Sequence, residues 1–215
     1  MRETWSNSSA DSLSHTEMYI AQFGHVYENI GLKTTDFRGT VLTAGVGGMF
    51  PERFFICSPE SKYRHLYPGV DKLVLCDENY YPRFKVFDEE INHQILYEEG
   101  EQEIALGRVV SLQDSIWRIL QFTDLNYDAL TFCRIPDLPD QLGYENLLLL
   151  VSKLNAGGLA LLSGSFKYQG IDLNQIVKTL NSIKGINATL KQLTDGGDLC
   201  NVGYGGHYGV VIRKG

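Results

Sequence analysis

Apolar residues recur along this chain in two spacings, and the alternation between them predicts its architecture. From Thr16 to Ile30, Met18, Tyr19, Phe23, Val26, Tyr27 and Ile30 follow a helical period, with Ser14 or Thr16 placed to cap the start and Gly31 to stop the run. Five apolar, mostly β-rich runs come next: Thr40 to Ala44, Lys72 to Cys76, Arg108 to Leu112, Tyr127 to Cys133 and Leu159 to Ser163. They lack polar alternation, as strands covered on both faces do, and the lengths between them have room for helices, so the sheet they form is expected to be largely parallel. Tyr144 to Leu154 reads as a Leu-rich helix closed by Asn155-Ala156-Gly157-Gly158, and Asp172 to Ile183 as a helix with Leu173, Ile176, Val177, Leu180 and Ile183 on one stripe. Ala188 to Leu193 and His207 to Arg213 flank a connection rich in Gly and Asp with no helical pattern, and read as two strands joined antiparallel. Phe54 to Cys57 fits a short strand or part of a helix, and Ile186 to Leu193 is expected to pair weakly. The predicted fold is α/β: a doubly wound, mostly parallel seven-stranded sheet with an antiparallel C-terminal strand, layered α/β/α.

With 215 residues and 43% hydrophobic content, the chain can bury one substantial core and requires no second domain. Residues 1–15, polar and rich in Ser, Asn and Asp, are expected to form a flexible segment ahead of a single domain over 16–215. The formal net charge of -7, with no run of Lys or Arg, argues against a nucleic-acid partner. Cys57, Cys76, Cys133 and Cys200 have neither CxxC nor metal-ligand spacing; they read as reduced core thiols, which favours the cytoplasm, and no metal is expected. No apolar stretch approaches the roughly 20 residues that span a bilayer, and the first residues have no signal-peptide core.

In a doubly wound sheet the ligand lies across the carboxyl ends of the parallel strands, so the residues just after each strand carry the chemistry. These are Gly45, Gly47 and Gly48 after the first, Asp77 and Glu78 after the second, Gln113, Asp114 and Ser115 after the third, and Cys133, Arg134, Pro136 and Asp137 at and after the fourth. A glycine turn facing a ligand's amino-acid end, a carboxylate for ribose hydroxyls and an Asp accepting from an exocyclic amine would together hold an adenosyl group. Each has a plainer reading. The glycines suit any tight strand-to-helix turn, Asp77 could solvate a strand end or cap a helix, and Asp114 could be the N-cap for Ser115 to Leu120. Tyr19, Phe23 and Tyr27 suit a core stripe as well as a lid over the ligand. Arg134 and Asp137 suit a surface ion pair as well as substrate contacts, and His207, in a Gly-rich approach to the last strand, suits a loop as well as a place near substrate.

At this level of detail the chain resembles the class I S-adenosylmethionine-dependent methyltransferases, from about Thr16 to its end. Val41 to Gly48 is similar to the family's first motif, Leu75-Cys76-Asp77 to the strand ending in its ribose-binding acid, and Val110 to Ser115 to its adenine-contacting segment. Tyr127-Asp128-Ala129-Leu130 resembles its fourth strand, and Leu154 to Leu162 its L-x-P-G-G turn and fifth strand. The resemblance implies S-adenosylmethionine as cofactor and a small molecule or protein side chain as methyl acceptor. The chain also departs from the family. Thr43 stands where an acid usually helps to hold the ligand's methionyl end, Met49 replaces a third glycine, and the Gly45 to Asp77 spacing is long, with an insertion around Pro51 to Pro68. Cys133-Arg134-Ile135-Pro136 does not match the Asn/Asp-Pro-Pro-aromatic signature of base amino-group methylation. A methyltransferase-shaped binding or assembly protein without catalysis is the alternative reading. A nicotinamide-dependent enzyme fits less well, because the dinucleotide fingerprint started at Gly45 needs glycine or alanine where Phe50 stands. Neither oligomeric state nor acceptor is legible in the sequence.

Overall fold

The computed structural model describes residues 31–45, 68–78, 107–133, 141–165, 172–193 and 207–215. The strands are β1 (Arg38–Ala44), β2 (Gly69–Cys76), β3 (Val109–Leu112), β4 (Tyr127–Cys133), β5 (Leu154–Ser165), β6 (Ile186–Leu193) and β7 (His207–Lys214). Three α-helices are described, α1 (Ile116–Phe122), α2 (Tyr144–Ser152) and α3 (Leu173–Asn181), with a 3-10 turn at Thr34–Asp36 ahead of β1. The seven strands form one sheet in the order β3-β2-β1-β4-β5-β7-β6. β1 to β5 pair parallel, and β7 runs antiparallel to both β5 and β6. This is the doubly wound layout expected from the sequence, with the chain reversing its direction of travel between β1 and β4.

Burial on both faces explains the unbroken apolar runs. Leu42, Ala44, Val74, Leu130, Phe132 and Leu162 pack in one cluster with Ile116 and Leu120 of α1, Leu147, Leu150 and Val151 of α2, and Leu173, Ile176 and Leu180 of α3. On the opposite face Val41, Leu73, Leu75, Ala129, Leu159 and Leu161 are also buried. Each Val, Leu, Ile or Phe among them contributes about 1.5–3 kcal/mol when fully buried, so a polar residue in either row would have to bring its own hydrogen-bond partner. The helix stripes follow the same demand, and Asp172 begins α3 by accepting hydrogen bonds from the N–H groups of Asn174 and Gln175 at 3.0 and 3.2 Å.

The structure differs from the sequence expectation most at β5 and β6. α2 stops at Ser152, and Leu154 already pairs with Tyr127, so Asn155 to Gly158 form an irregularity inside β5 before Leu159 pairs with Ala129. Gly157 has φ 74°, the left-handed conformation expected of it, but it shapes a strand distortion rather than the helix stop. The last carbonyls of this turn are met instead by Lys214, whose Nζ donates to Val151 O at 3.0 Å and Leu154 O at 2.6 Å. β6, expected to pair weakly, pairs with β7 along its whole length, from Ile186 opposite Lys214 to Leu193 opposite His207. Its outer edge is partly closed by Asn181, whose amide donates to Ala188 O and accepts from Ala188 N–H at 3.0 and 2.7 Å. The helix predicted over Thr16 to Ile30, the flexible segment before it, the possible strand at Phe54 to Cys57 and most of the insertion after Pro51 lie outside the described residues.

Asp128 braces the amino-terminal edge of the sheet. Its carboxylate accepts from Thr40 N–H on β1 at 2.8 Å and from Asn155 Nδ2 on β5 at 2.9 Å, tying three neighbouring strands together. Gly39 makes room for it: φ is 64°, and a Cβ there would fall 2.1 Å from Asp128 Oδ2. Gly39→Ala should therefore lower stability by about 1–3 kcal/mol, adding overpacking to an unfavourable φ. Urea unfolding checks this, and an unchanged midpoint would mean that the brace contributes nothing.

Candidate functional site

Strand register sets the carboxyl edge. Ala44 lies opposite Cys76 on β2 and Phe132 on β4, and Cys76 lies opposite Leu112 on β3. The residues that follow, Gly45, Asp77 and Gln113, therefore leave the sheet side by side. Gly45 N–H donates to Cys76 O at 2.9 Å and Asp77 N–H to Leu112 O at 3.2 Å, carrying the hydrogen bonding one residue past each strand end. Gly45 has φ 72° and is exposed, so the chain turns off β1 in a conformation that favours glycine, with no Cβ above the backbone.

Acidic groups are concentrated beyond β2 and β3. Asp77 is only 8% exposed, whereas Glu78 and Gln113 are open to solvent. Asp114 is half-buried; its Oδ1 accepts from Ser115 N–H at 2.8 Å and lies 3.6 Å from Arg118 Nε. Ser115, not Asp114, occupies the N-cap of α1, and its side chain makes no capping bond. Between these acids Cys76 is buried and free. Burial first, and then the charges of Asp77 and Asp114, push its thiol up to about 12. It is a core thiol, as its sequence context suggested, and at neutral pH it stays protonated and poorly nucleophilic.

An aromatic clamp that the sequence reading did not single out borders this edge on the helical side. Trp117, in the first turn of α1, stacks on Phe132 at the end of β4 with ring centroids 5.7 Å apart. Its Nε1 donates to Gln141 Oε1, and Asn146 Nδ2 donates to Gln141 O at 2.7 Å, so α1, β4 and the start of α2 are tied together. The available signal was Trp117 itself, a large side chain with a donor that needs a partner when buried. Its pairing with Gln141, distant in sequence, has no local signature.

The other candidates divide in two. Cys133 closes β4 opposite Ser163, and His207 opens β7 opposite Ser165, at the same edge of the sheet as the acids. Tyr27, Gly47, Gly48, Arg134 and Asp137 lie outside the described residues, as do Tyr19 and Phe23. Among the described residues no group of His, Cys, Asp and Glu has the arrangement of a metal site, and no helix is long and apolar enough to cross a membrane.

No protein-family model and no curated protein matches this chain. Solved structures do. The chain is similar to the N-methyltransferase NodS from Bradyrhizobium japonicum at a TM-score of 0.50 and 12% identity, over 95% of this chain and 98% of that one. It is similar to the O-methyltransferase TomG from Streptomyces achromogenes, in complex with SAM, at 0.50 and 11%, over 90% and 79%. Its likeness to the mitomycin 7-O-methyltransferase MmcR scores 0.51 at 12% identity, covering 92% of this chain and 54% of that one. What is shared at such identities is the fold: this chain has the fold of class I S-adenosylmethionine-dependent methyltransferases.

The thiol gives a prediction at this edge. An unfolded Cys76 ionises near 9.0, and the folded one only near 12. Its contribution to stability is therefore fully present below pH 9 and is lost as pH rises from about 9 towards 12. Relative to Cys76→Ala, the wild type should lose stability over that window, and in the native state Cys76 should resist alkylation at pH 8. Rapid alkylation of the folded protein at Cys76, mapped by peptide mass, would contradict its burial.

Proposed function

We propose that this protein binds S-adenosylmethionine at the carboxyl edge of β1, β2 and β3 and transfers its methyl group to a small molecule or a protein side chain. The observation that carries this reading is the adjacency of an open glycine turn, Gly45, and a buried carboxylate, Asp77, at neighbouring strand ends beside the topological switch point. The fit is chemical as well as positional. An adenosyl group offers donors, two ribose hydroxyls and an exocyclic amine, and this edge offers acceptors, Asp77 and Asp114.

In this reading Asp77 accepts from the ribose hydroxyls, and its burial strengthens those bonds. Asp114 accepts from the base amine, with the bond from Ser115 N–H fixing its carboxylate. Glu78, Gln113 and Ser115 line the same approach, Gly45 lets the ligand come close to the backbone with Gly47 and Gly48 continuing the turn, and Cys133 closes β4 beside them. Arg134, Asp137, Tyr27 and His207 are assigned to the acceptor side. When bound, S-adenosylmethionine supplies an electrophilic methyl group. The protein's main task is then to hold an acceptor nucleophile in line with that methyl, and a base is required only for an acceptor that must lose a proton. The net charge of -7 favours acceptors other than nucleic acid. The reduced thiol of Cys76 is in keeping with a cytoplasmic protein.

One observation favours the second reading, a methyltransferase-shaped binding protein without catalysis: Thr43 stands in place of an acid, and its side chain is buried in the sheet. Calorimetric titration with S-adenosylmethionine and S-adenosylhomocysteine, with NAD as control, separates the readings. Micromolar affinity for the first two, about -8 kcal/mol, supports the site, and transfer in an acceptor screen supports the enzyme. Binding without transfer to any acceptor class supports the site without the enzyme, and a folded protein that binds neither contradicts the cofactor site and supports the silent partner. Asp77→Asn should weaken S-adenosylhomocysteine binding by roughly tenfold or more, the worth of a charge-assisted hydrogen bond, while leaving the thermal melt cooperative. Unchanged affinity would remove Asp77 from the site.

A further inference from the structure

Asp114 is the group that the adenosyl reading sets against the exocyclic amine of the base, and its immediate neighbours hold it only loosely. Ser115 N–H at 2.8 Å and Arg118 Nε at 3.6 Å both meet Oδ1. The Arg118 side chain is 69% exposed, so this ion pair is screened by solvent and adds little. α1, which follows, has seven residues, and its N-cap Ser115 makes no side-chain capping bond. A helix this short takes its position from tertiary contacts. Ile116 and Leu120 seat it on the core, but apolar contacts are non-directional. The directional contact comes from Trp117, one turn after Asp114. Its ring stacks on Phe132, which is fully buried, and its Nε1 donates to Gln141 Oε1. Gln141 is in turn held by Asn146 Nδ2 on α2.

We infer, on the adenosyl reading given above, that Trp117 is a positioning residue for Asp114: the bond from its indole N–H to Gln141 sets the carboxylate against the base amine and so governs selection of adenine. Trp117 acts through the turn it anchors, by fixing where the backbone leaves β3 for α1. A site that accepts from an amine rejects an analogue carrying oxygen there, and it does so only while the acceptor is held in place by its supporting contacts. Asp77 is fixed differently. It follows β2 directly, and its N–H continues the strand pairing to Leu112 O. Loosening the clamp should therefore reduce discrimination between bases and spare the ribose contribution.

The test is calorimetry on the full chain with S-adenosylhomocysteine and S-inosylhomocysteine, in which a carbonyl oxygen replaces the amine. Trp117→Phe keeps an aromatic ring on Phe132 and removes the donor, Gln141→Leu removes the acceptor from the other side, and Gln141→Glu retains an acceptor. The inference expects the wild type to prefer S-adenosylhomocysteine by roughly tenfold or more. Trp117→Phe and Gln141→Leu should each lose most of that preference, through roughly three- to tenfold weaker S-adenosylhomocysteine binding, the worth of one hydrogen bond. Their affinity for the inosyl compound should change by less than about twofold, and Gln141→Glu should keep the preference. If Trp117→Phe does not fold, Gln141→Leu carries the test. An equal loss for both ligands, or an unchanged preference in a variant that melts cooperatively, would overturn the inference and leave the adenosyl reading intact. A wild type without preference would overturn it by removing Asp114 from the base, with the ribose role of Asp77 standing. Binding of neither ligand by the folded wild type would remove the adenosyl reading and the inference with it.

Discussion

A parallel strand cannot be joined to its neighbour by a tight hairpin, because the chain must first return over a face of the sheet. Five consecutive parallel strands therefore finish on one edge and begin on the other, and the two edges acquire different chemistry. Everything at the candidate site depends on this pairing and on its register. Ala44, Cys76 and Leu112 are held at one level by the hydrogen-bonded rows between β1, β2 and β3, so the residues that follow them must emerge together. A slip of one residue in β2 would turn Asp77 towards the opposite face and exchange the helix-packed row of Val74 and Cys76 with the row of Leu73 and Leu75.

The contrast between the edges supports that division of labour. At the amino edge the polar groups satisfy one another: Asp128 takes hydrogen bonds from Thr40 and Asn155, and Gly39 is shaped around it. The result is a brace across β1, β4 and β5 that fixes the register from behind. At the carboxyl edge the chain turns through an exposed glycine and places carboxylates beside it. Burial and the charges of Asp77 and Asp114 raise the thiol of Cys76 there. Buried polar groups are also handled differently along β1. Thr43 has its partner, Thr131, inside the sheet, whereas the candidate acids come only after the strands have ended.

Much of this was legible in the sequence because burial on both faces leaves continuous apolar runs. β4 was read from Tyr127 to Cys133 as it stands in the structure, and β1, β2 and β3 were located with their carboxyl ends correct. The carboxyl ends were the sharper boundary because each passes abruptly from apolar residues to glycine or acid. Amino ends were less clear: β1 begins at Arg38 and β2 at Gly69, where pairing continues through residues of low strand propensity. β5 was read too short for a related reason. Leu154 pairs with Tyr127 across a glycine-bearing irregularity, and Asn-Ala-Gly-Gly has the local signature of a helix stop whether or not one is there. Of the site, the acids and Gly45 could be placed because position after a strand is a local property. The Trp117–Gln141 clamp, the Thr43–Thr131 pair and the Asp128 brace join residues far apart in sequence, and only the folded sheet brings them together.

The central claim is that the carboxyl edge, and not another surface, receives the ligand. Hydrogen–deuterium exchange of the full chain with and without S-adenosylhomocysteine tests it most directly, because the two edges of one sheet report separately. The account predicts added protection at Gly45, Asp77, Glu78 and Gln113 to Ser115, and none at Thr40, which lies beside Asp128 at the opposite edge of the sheet. Protection confined to the amino edge, or distributed without regard to the strand ends, would contradict it.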